Sequence, residues 1–257
     1  VATGPGGLAA DGELPVGDAK VAMVHAMFDA IAPRYDLVNR LMTLGLDRGW
    51  RRRTVALLEL APSSRVLDLA CGTGDLAREL QAIGLPAIGA DLSLGMLAAA
   101  RAGGAPLVQA DGSGLPLRDA SLDGVVSGFA VRNFADIPAV LAEAARVLRP
   151  GGRLALLEVD TPRPALLRLG HRIWTNAVVP RIGAALSEAS AYRYLPRSLA
   201  YLPSFEQMRA LLADAGFVAV EQHRLSGGIA QVVTATRTGA RALLHGLQGR
   251  DSGEARR

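Results

Sequence analysis

Apolar residues change their spacing along the chain, and each change marks a different kind of element. Val21, Val24, Phe28 and Ile31 fall at i, i+3, i+7 and i+10. That spacing is one face of a helix, and Pro33 stops it. The helical region continues from Tyr35 to about residue 60, with Asp47 as the expected N-cap of a helix carrying Trp50, Leu57 and Leu58. From 65 to 160 the pattern becomes short apolar runs separated by amphipathic segments. The runs are RVLDLA, AIGADLS, PLVQADGS, LDGVVSGFAVRN and RLALLEV. Between them lie a helix beginning near Asp75, a second over SLGMLAAARA, and a third capped by Asp136.

Residues 160–203 break this rhythm and read as an insertion after the fifth strand. Ser204 and Gln207 then form a capping box for a helix ended by Gly216. FVAVEQHRL and IAQVVTATR follow, joined by Ser226-Gly227-Gly228, a link that predicts a closing antiparallel hairpin. Continuous apolar strands alternating with helices indicate a sheet covered on both faces. The fold class expected is therefore α/β, with seven strands, most of them parallel. Residues 1–18 and 239–257 lack periodicity and are expected to be disordered tails. The body, 19–238, reads as one domain with a helical cap at 19–60 and a substrate-side insertion at 160–203.

Composition removes several classes. One cysteine, Cys71, excludes an internal disulfide framework, and 50% hydrophobic residues with a net charge of +4 exclude chain-wide disorder. No apolar run reaches the ~20 residues of a membrane span. The N-terminus has no basic start followed by an apolar stretch, so a cytoplasmic protein is expected. Of the 28 basic residues 27 are arginine and one is Lys20, beside 45 alanines. That bias looks like base composition, and no nucleic-acid partner is expected from it.

The strongest chemical signal is Val66-Leu67-Asp68-Leu69-Ala70-Cys71-Gly72-Thr73-Gly74-Asp75. A buried strand runs into a glycine-rich turn that opens a helix. Such a turn lets backbone approach a ligand, and the helix start offers free N–H groups. Gly72, Gly74 and Ala77 also fit G-x-G-x-x-A, the dinucleotide fingerprint. Asp68, an acid just before the turn, opposes a pyrophosphate and suits a ligand bearing an amino group and a sulfonium. Asp91, 17 residues after Gly74, suits the two hydroxyls of a ribose. Asp111-Gly112 after the third strand could accept from an adenine amine. The Arg146 to Gly152 segment reads as a helix terminator. No Cys/His cluster has ligand spacing, so no metal is expected.

Together these pieces resemble the class I S-adenosylmethionine-dependent methyltransferases over about residues 60–235, which implies a Rossmann-like sheet. A narrower resemblance rests on Tyr35-Asp36-Leu37-Val38-Asn39, Gly45, Trp50-Arg51, Val131-Arg132-Asn133, Val179-Pro180-Arg181-Ile182-Gly183 and Tyr192-Arg193-Tyr194-Leu195-Pro196 with Ser198. These are similar to the menaquinone/ubiquinone biosynthesis C-methyltransferases, from about residue 24 to 237. The resemblance implies that Thr73, Asp91, Asp111 and Gly112, with Asp68, Gly72 and Gly74, hold S-adenosyl-L-methionine. It implies a polyprenylated quinol as acceptor, demethylmenaquinol first, with a benzoquinol or a secondary-metabolite phenol as alternatives. The chain departs from the pattern at Gly128, where the family often has serine and Ser127 stands one place earlier. It departs again at Ala130, and at Asp111 where relatives carry asparagine.

Methylating a ring carbon needs a neighbouring phenolate. Arg132 is the first candidate to stabilise it, since a guanidinium is no base at neutral pH; Asn133 could orient a quinol oxygen, and Tyr192 is a further candidate. His171 and His223 lie in no matched motif and read as structural. The apolar cap and the arginine-bearing insertion imply a peripheral contact with the inner face of a membrane. A nucleotide-binding oxidoreductase and a catalytically silent cofactor-binding subunit stay open as other classes.

Overall fold

A computed structural model of the chain describes residues 15–162, 164–174, 177 and 197–239. Seven strands form one sheet in the order β3-β2-β1-β4-β5-β7-β6. They are β1 Val66–Leu69, β2 Ala87–Asp91, β3 Leu107–Gln109, β4 Leu122–Gly128, β5 Leu148–Val159, β6 Phe217–Leu225 and β7 Ala230–Arg237. The first five pair in parallel. Strand β7 inserts antiparallel between β5 and β6, so the expected hairpin closes the sheet. The α/β class and the seven strands are as the sequence predicts.

The described helices are α1 Gly17–Ile31, α2 Tyr35–Thr43, α3 Leu46–Ala56, α4 Asp75–Ala82, α5 Leu94–Ala100, α6 Ile137–Val147, α7 Ala165–Ile173 and α8 Phe205–Asp214. Each sheet face buries its own apolar layer. One joins Leu67, Leu69 and Val125 to Val140, Leu141 and Leu212 beneath α6 and α8. The other joins Val66, Val126 and Leu157 to Trp50, Leu58 and Leu80 beneath α3 and α4. A third small cluster, Ile31, Ala32, Val38 and Met96, seats the cap on α5.

Several boundaries differ from the sequence reading. Helix α1 begins at Gly17, two residues inside the expected tail. The rest of that tail before Pro15, and the other tail beyond Gly239, lie outside the described residues, as does most of the insertion. Asp47 is not an N-cap. Helix α3 starts two residues earlier, at Leu46, behind Gly45 in the left-handed conformation, and the buried Asp47 carboxylate pairs with Arg51 and accepts from Thr43. Strand β4 ends at Gly128, and Val131–Asn133 form a 3-10 turn. The break falls at Phe129, whose φ of 60° ends the strand just after its N–H has donated to the Leu157 carbonyl of β5. The caps at Asp136 and Ser204 are formed as expected. Arg146 does more than end α6: it donates to the Leu115 and Leu117 carbonyls and pairs with Asp119, which fixes the loop leading to β4.

Cys71 has its place through size. A Cβ added at Gly89 would lie 2.9 Å from the Cys71 Sγ and 2.7 Å from Leu107. Gly89→Ala should therefore cost about 1–3 kcal/mol through overpacking. Urea unfolding of the purified variant checks this, and unchanged stability would refute the packing argument.

Candidate active site

The glycine turn is gripped by carboxylates from below and beside. Asp68 is buried in β1, and its Oδ2 accepts the Ala77 N–H of α4 at 2.9 Å. Its Oδ1 has no hydrogen-bond partner. Burial pushes its pKa up to about 7. Asp91 accepts the Gly72 N–H on one oxygen at 2.8 Å and the Ser93 N–H on the other at 2.9 Å. Burial raises it as well, against those bonds. The Thr73 hydroxyl donates to Asp36 of α2 at 2.6 Å, which ties the turn to the cap.

Above the carboxyl ends of β1 to β4 lies a cavity of about 740 Å³. Gly72, Asp91, Ser93, Asp111 and Gly112 line one side. Helix α1 covers the opening with Lys20, Val21, Val24, His25 and Phe28, and Phe129, Asn133, Phe134, Ile137 and Tyr201 complete the wall. The helix face predicted from its spacing is thus mainly a cavity wall. Asp111 Oδ1 accepts from the Ser113 N–H and hydroxyl, which shapes that loop.

Of the residues the sequence singled out, Gly72, Asp91, Asp111, Gly112 and Asn133 meet at this cavity. Asp68, Thr73 and Gly74 are not among its lining residues; they hold the backbone of the turn, Gly74 with φ 83° as the α4 N-cap. Arg132 is also absent from the wall. It is buried, and its Nη1 donates to Glu158 of β5 at 2.6 Å. The Arg132 Nε and Glu158 Oε1 lack hydrogen-bond partners. Ser127 donates to the Leu69 carbonyl at 2.7 Å and so braces β1 against β4. Gly128 lines the cavity, where a Cβ would meet Leu76 at 3.0 Å. Tyr192 lies outside the described residues, and the side chain of His171 does too. His223 faces Thr234 on the β6–β7 pair.

Sequence reasoning missed Lys20. It is 4% exposed, donates from Nζ to the Phe134 carbonyl at 2.7 Å and sits over the Tyr201 ring at 3.8 Å. Burial lowers its pKa to about 8. The signal available was its solitude among 27 arginines. Among the described residues, no group of three or more His, Cys, Asp or Glu could hold a metal ion.

The strand order, the closing antiparallel strand and a cavity at the strand ends define the S-adenosylmethionine-dependent methyltransferase fold. A Thermotoga maritima SAM-dependent methyltransferase superposes with a TM-score of 0.59 at 23% identity, covering 84% of this chain and all of that one. A Haemonchus contortus phosphoethanolamine N-methyltransferase 2 in complex with S-adenosyl-L-methionine gives 0.53 at 16% identity, over 73% and 52% of the two chains. Residues 16–237 match the ubiE/COQ5 methyltransferase family, and the chain belongs to it. A Thermus thermophilus demethylmenaquinone methyltransferase is 45% identical over 80% of this chain and 97% of its own. A Geotalea daltonii ubiquinone/menaquinone biosynthesis C-methyltransferase is 40% identical over 82% and 94%.

The Asp68 geometry has a measurable consequence. Its folded pKa exceeds the unfolded value, so its contribution to stability is fully present below about pH 4 and is lost as pH rises through about 7. The ligand-free protein should lose up to ~4 kcal/mol across that window from this group. Asp68→Asn, which keeps an acceptor for Ala77, should flatten the dependence. Urea unfolding at several pH values checks it, and parallel curves for the two proteins would refute it.

Proposed function

We propose that the chain transfers a methyl group from S-adenosyl-L-methionine to a ring carbon of a demethylated polyprenyl quinol, with demethylmenaquinol as the first choice. The observation that carries this reading is the division of one cavity into two chemistries. The side built by Gly72, Asp91 and Asp111 is polar and acidic, and the side under α1 is mainly apolar, with Val21, Val24, Phe28 and Phe134 around Lys20 and His25. Relatives named demethylmenaquinone methyltransferase at 44–45% identity support the choice of acceptor.

The residues present fit the methyl donor. The Asp91 oxygens accept the Gly72 and Ser93 N–H groups, and a carboxylate's four lone-pair sites leave capacity for a ligand hydroxyl. A Cβ at Gly72 would meet nothing within 4 Å, so backbone lies open to a ligand there. Asp111 and Gly112 extend the same wall. Asp68 Oδ1 is buried and unpartnered behind the turn, and a cationic ligand nearby would favour its charged form. When bound, the donor supplies an electrophilic methyl on a sulfonium. The chain's own residues bind and orient the two partners and exclude water; such placement is worth ~7–11 kcal/mol of barrier.

Arg132 serves in this reading as a positioning residue. Its ion pair with Glu158 fixes the 3-10 turn that presents Asn133 to the cavity. Asn133 orients a quinol oxygen. Tyr192 remains a proposed contact from the insertion. The quinol tail and a peripheral membrane contact are assigned to the outer cap. Leu37, Leu41 and Leu44 are exposed at i, i+4 and i+7 of α2 and its C-cap, beside exposed Leu46, Arg40 and Arg48. Trp174, just past α7, donates to the Met42 carbonyl at 2.8 Å and so ties α7, which carries exposed Leu167 and Leu169, to the same cap. Among the described residues, no helix is long and apolar enough to cross a membrane.

Two measurements test the proposal. Purified protein with the donor and reduced demethylmenaquinone should yield menaquinol and S-adenosylhomocysteine by mass spectrometry; no methylated quinone would refute the acceptor. In flotation assays the protein should follow anionic vesicles at low salt and be released at high salt. Leu41→Ser with Leu44→Ser should abolish flotation, and equal flotation of that variant would refute the membrane face.

A further inference from the structure

Base composition has left arginine at every basic position but one, so the exception is informative. Lys20 is that exception, and it is buried in the wall of the cavity. Arginine stays charged at any working pH, whereas a buried lysine can lose its proton. Among the described residues Lys20 forms no ion pair with a carboxylate, and burial lowers its pKa to about 8. The Phe134 carbonyl and the Tyr201 face take its bonds on the protein side.

Most of the cavity's other titratable groups are held by protein partners or unsuited. Asp91 and Asp111 accept backbone N–H groups, and Asp136 caps α6. His25 Nε2 stands 3.4 Å from an Asp29 oxygen, is buried and makes no hydrogen bond, and it is the alternative proton acceptor that the Lys20 variants below distinguish. The Tyr201 hydroxyl donates to the Pro15 carbonyl. Tyr35 has its pKa raised, chiefly by burial, and so stays protonated. Asp18, two residues before Lys20 on the same helix, is exposed.

We propose that Lys20 is a catalytic residue that takes the acceptor's phenolic proton and then pairs, as an ammonium, with the phenolate; this rests on the quinol reading above. The O–H bond breaks, its electron pair stays on oxygen, and the Nζ lone pair binds the proton. The phenolate makes the neighbouring ring carbon nucleophilic. After that carbon has been methylated it loses its own proton to water, and the oxygen regains a proton from the ammonium. The net release is one proton per turnover.

The test uses 4-methoxy-1-naphthol, a hydroxyarene whose anion has its own absorption band, with the whole chain and no methyl donor. The wild-type protein should show the naphtholate band at pH values where free naphthol is neutral. Lys20→Met should not. A wild-type spectrum that stays neutral throughout overturns the proposal. In turnover, wild-type kcat/KM should rise with pH with a limb near 8. Lys20→Arg keeps a cation at the Phe134 carbonyl but cannot accept a proton; it should lose the limb and about 100-fold in kcat, with S-adenosylhomocysteine affinity unchanged by calorimetry. Wild-type turnover by Lys20→Arg would overturn the proton-acceptor role, whether or not Lys20→Met folds. A naphtholate band without methylation of demethylmenaquinol would instead refute the quinol reading alone.

Discussion

A single carboxylate, Asp91, holds the site together. It accepts the Gly72 N–H from the glycine turn and the Ser93 N–H from the start of α5. The β1 turn and the β2 turn are thereby locked to each other at the point where the cavity opens. Two unpaired backbone N–H groups at that depth would each cost about 1–3 kcal/mol, so the acid cannot be exchanged for an apolar residue without loosening both turns. Its burial raises the cost of its charge. The surrounding N–H groups offset that cost, and a ligand hydroxyl would add to them.

The cap depends on the same turn. Thr73 bonds Asp36 at the start of α2, and Arg51 of α3 pairs with Asp47 and with Asp75, the first residue of α4. Arg51 also sits 5.8 Å from the Phe129 ring, which packs edge-on against Trp50. Trp50 in turn donates to Ser226 in the link between β6 and β7. The glycine turn, the end of β4, the cap and the closing hairpin therefore share one polar network. A shift in the cap would be felt at the turn, which is how a lid helix such as α1 can be positioned by contacts far from itself.

Most of the fold was legible because period and punctuation agreed. Asp136, Ser204 and the Ser226–Gly228 link carry their own local signals, and continuous apolar runs marked the buried strands. The errors fall where tertiary contacts decide. Asp47 looks like a cap until Thr43 and Arg51 claim its carboxylate. The apolar run through Phe129 reads as strand, but the chain turns there with its ring edge-on to Trp50, a contact distant in sequence. In the site, the spacing located the turn and the three carboxylates, Asp68, Asp91 and Asp111. Spacing could not say that Thr73 faces Asp36 or that Arg132 spends its charge on Glu158, because both partners are distant in sequence. Lys20 escaped because it sits in no motif; its contact with Phe134 spans 114 positions.

The costs that the protein tolerates also locate its site. Among the described residues, eight that are not glycine have positive φ, and six of them serve a helix end, a turn or the irregularity in β6. The other two, Ala70 and Phe129, end β1 and β4 and line the cavity. Asp68 with its free Oδ1, the half-satisfied Arg132–Glu158 pair and Lys20 lie at or just behind the same strand ends. A buried ion pair is weak evidence for stability, and each strained backbone conformation costs of order 1–3 kcal/mol. Local rules broken together in one place, with the rest of the sheet regular, mark the region where structure has been spent on chemistry rather than on folding. This locator is independent of family resemblance, and it selects the same strand ends that the glycine turn selects.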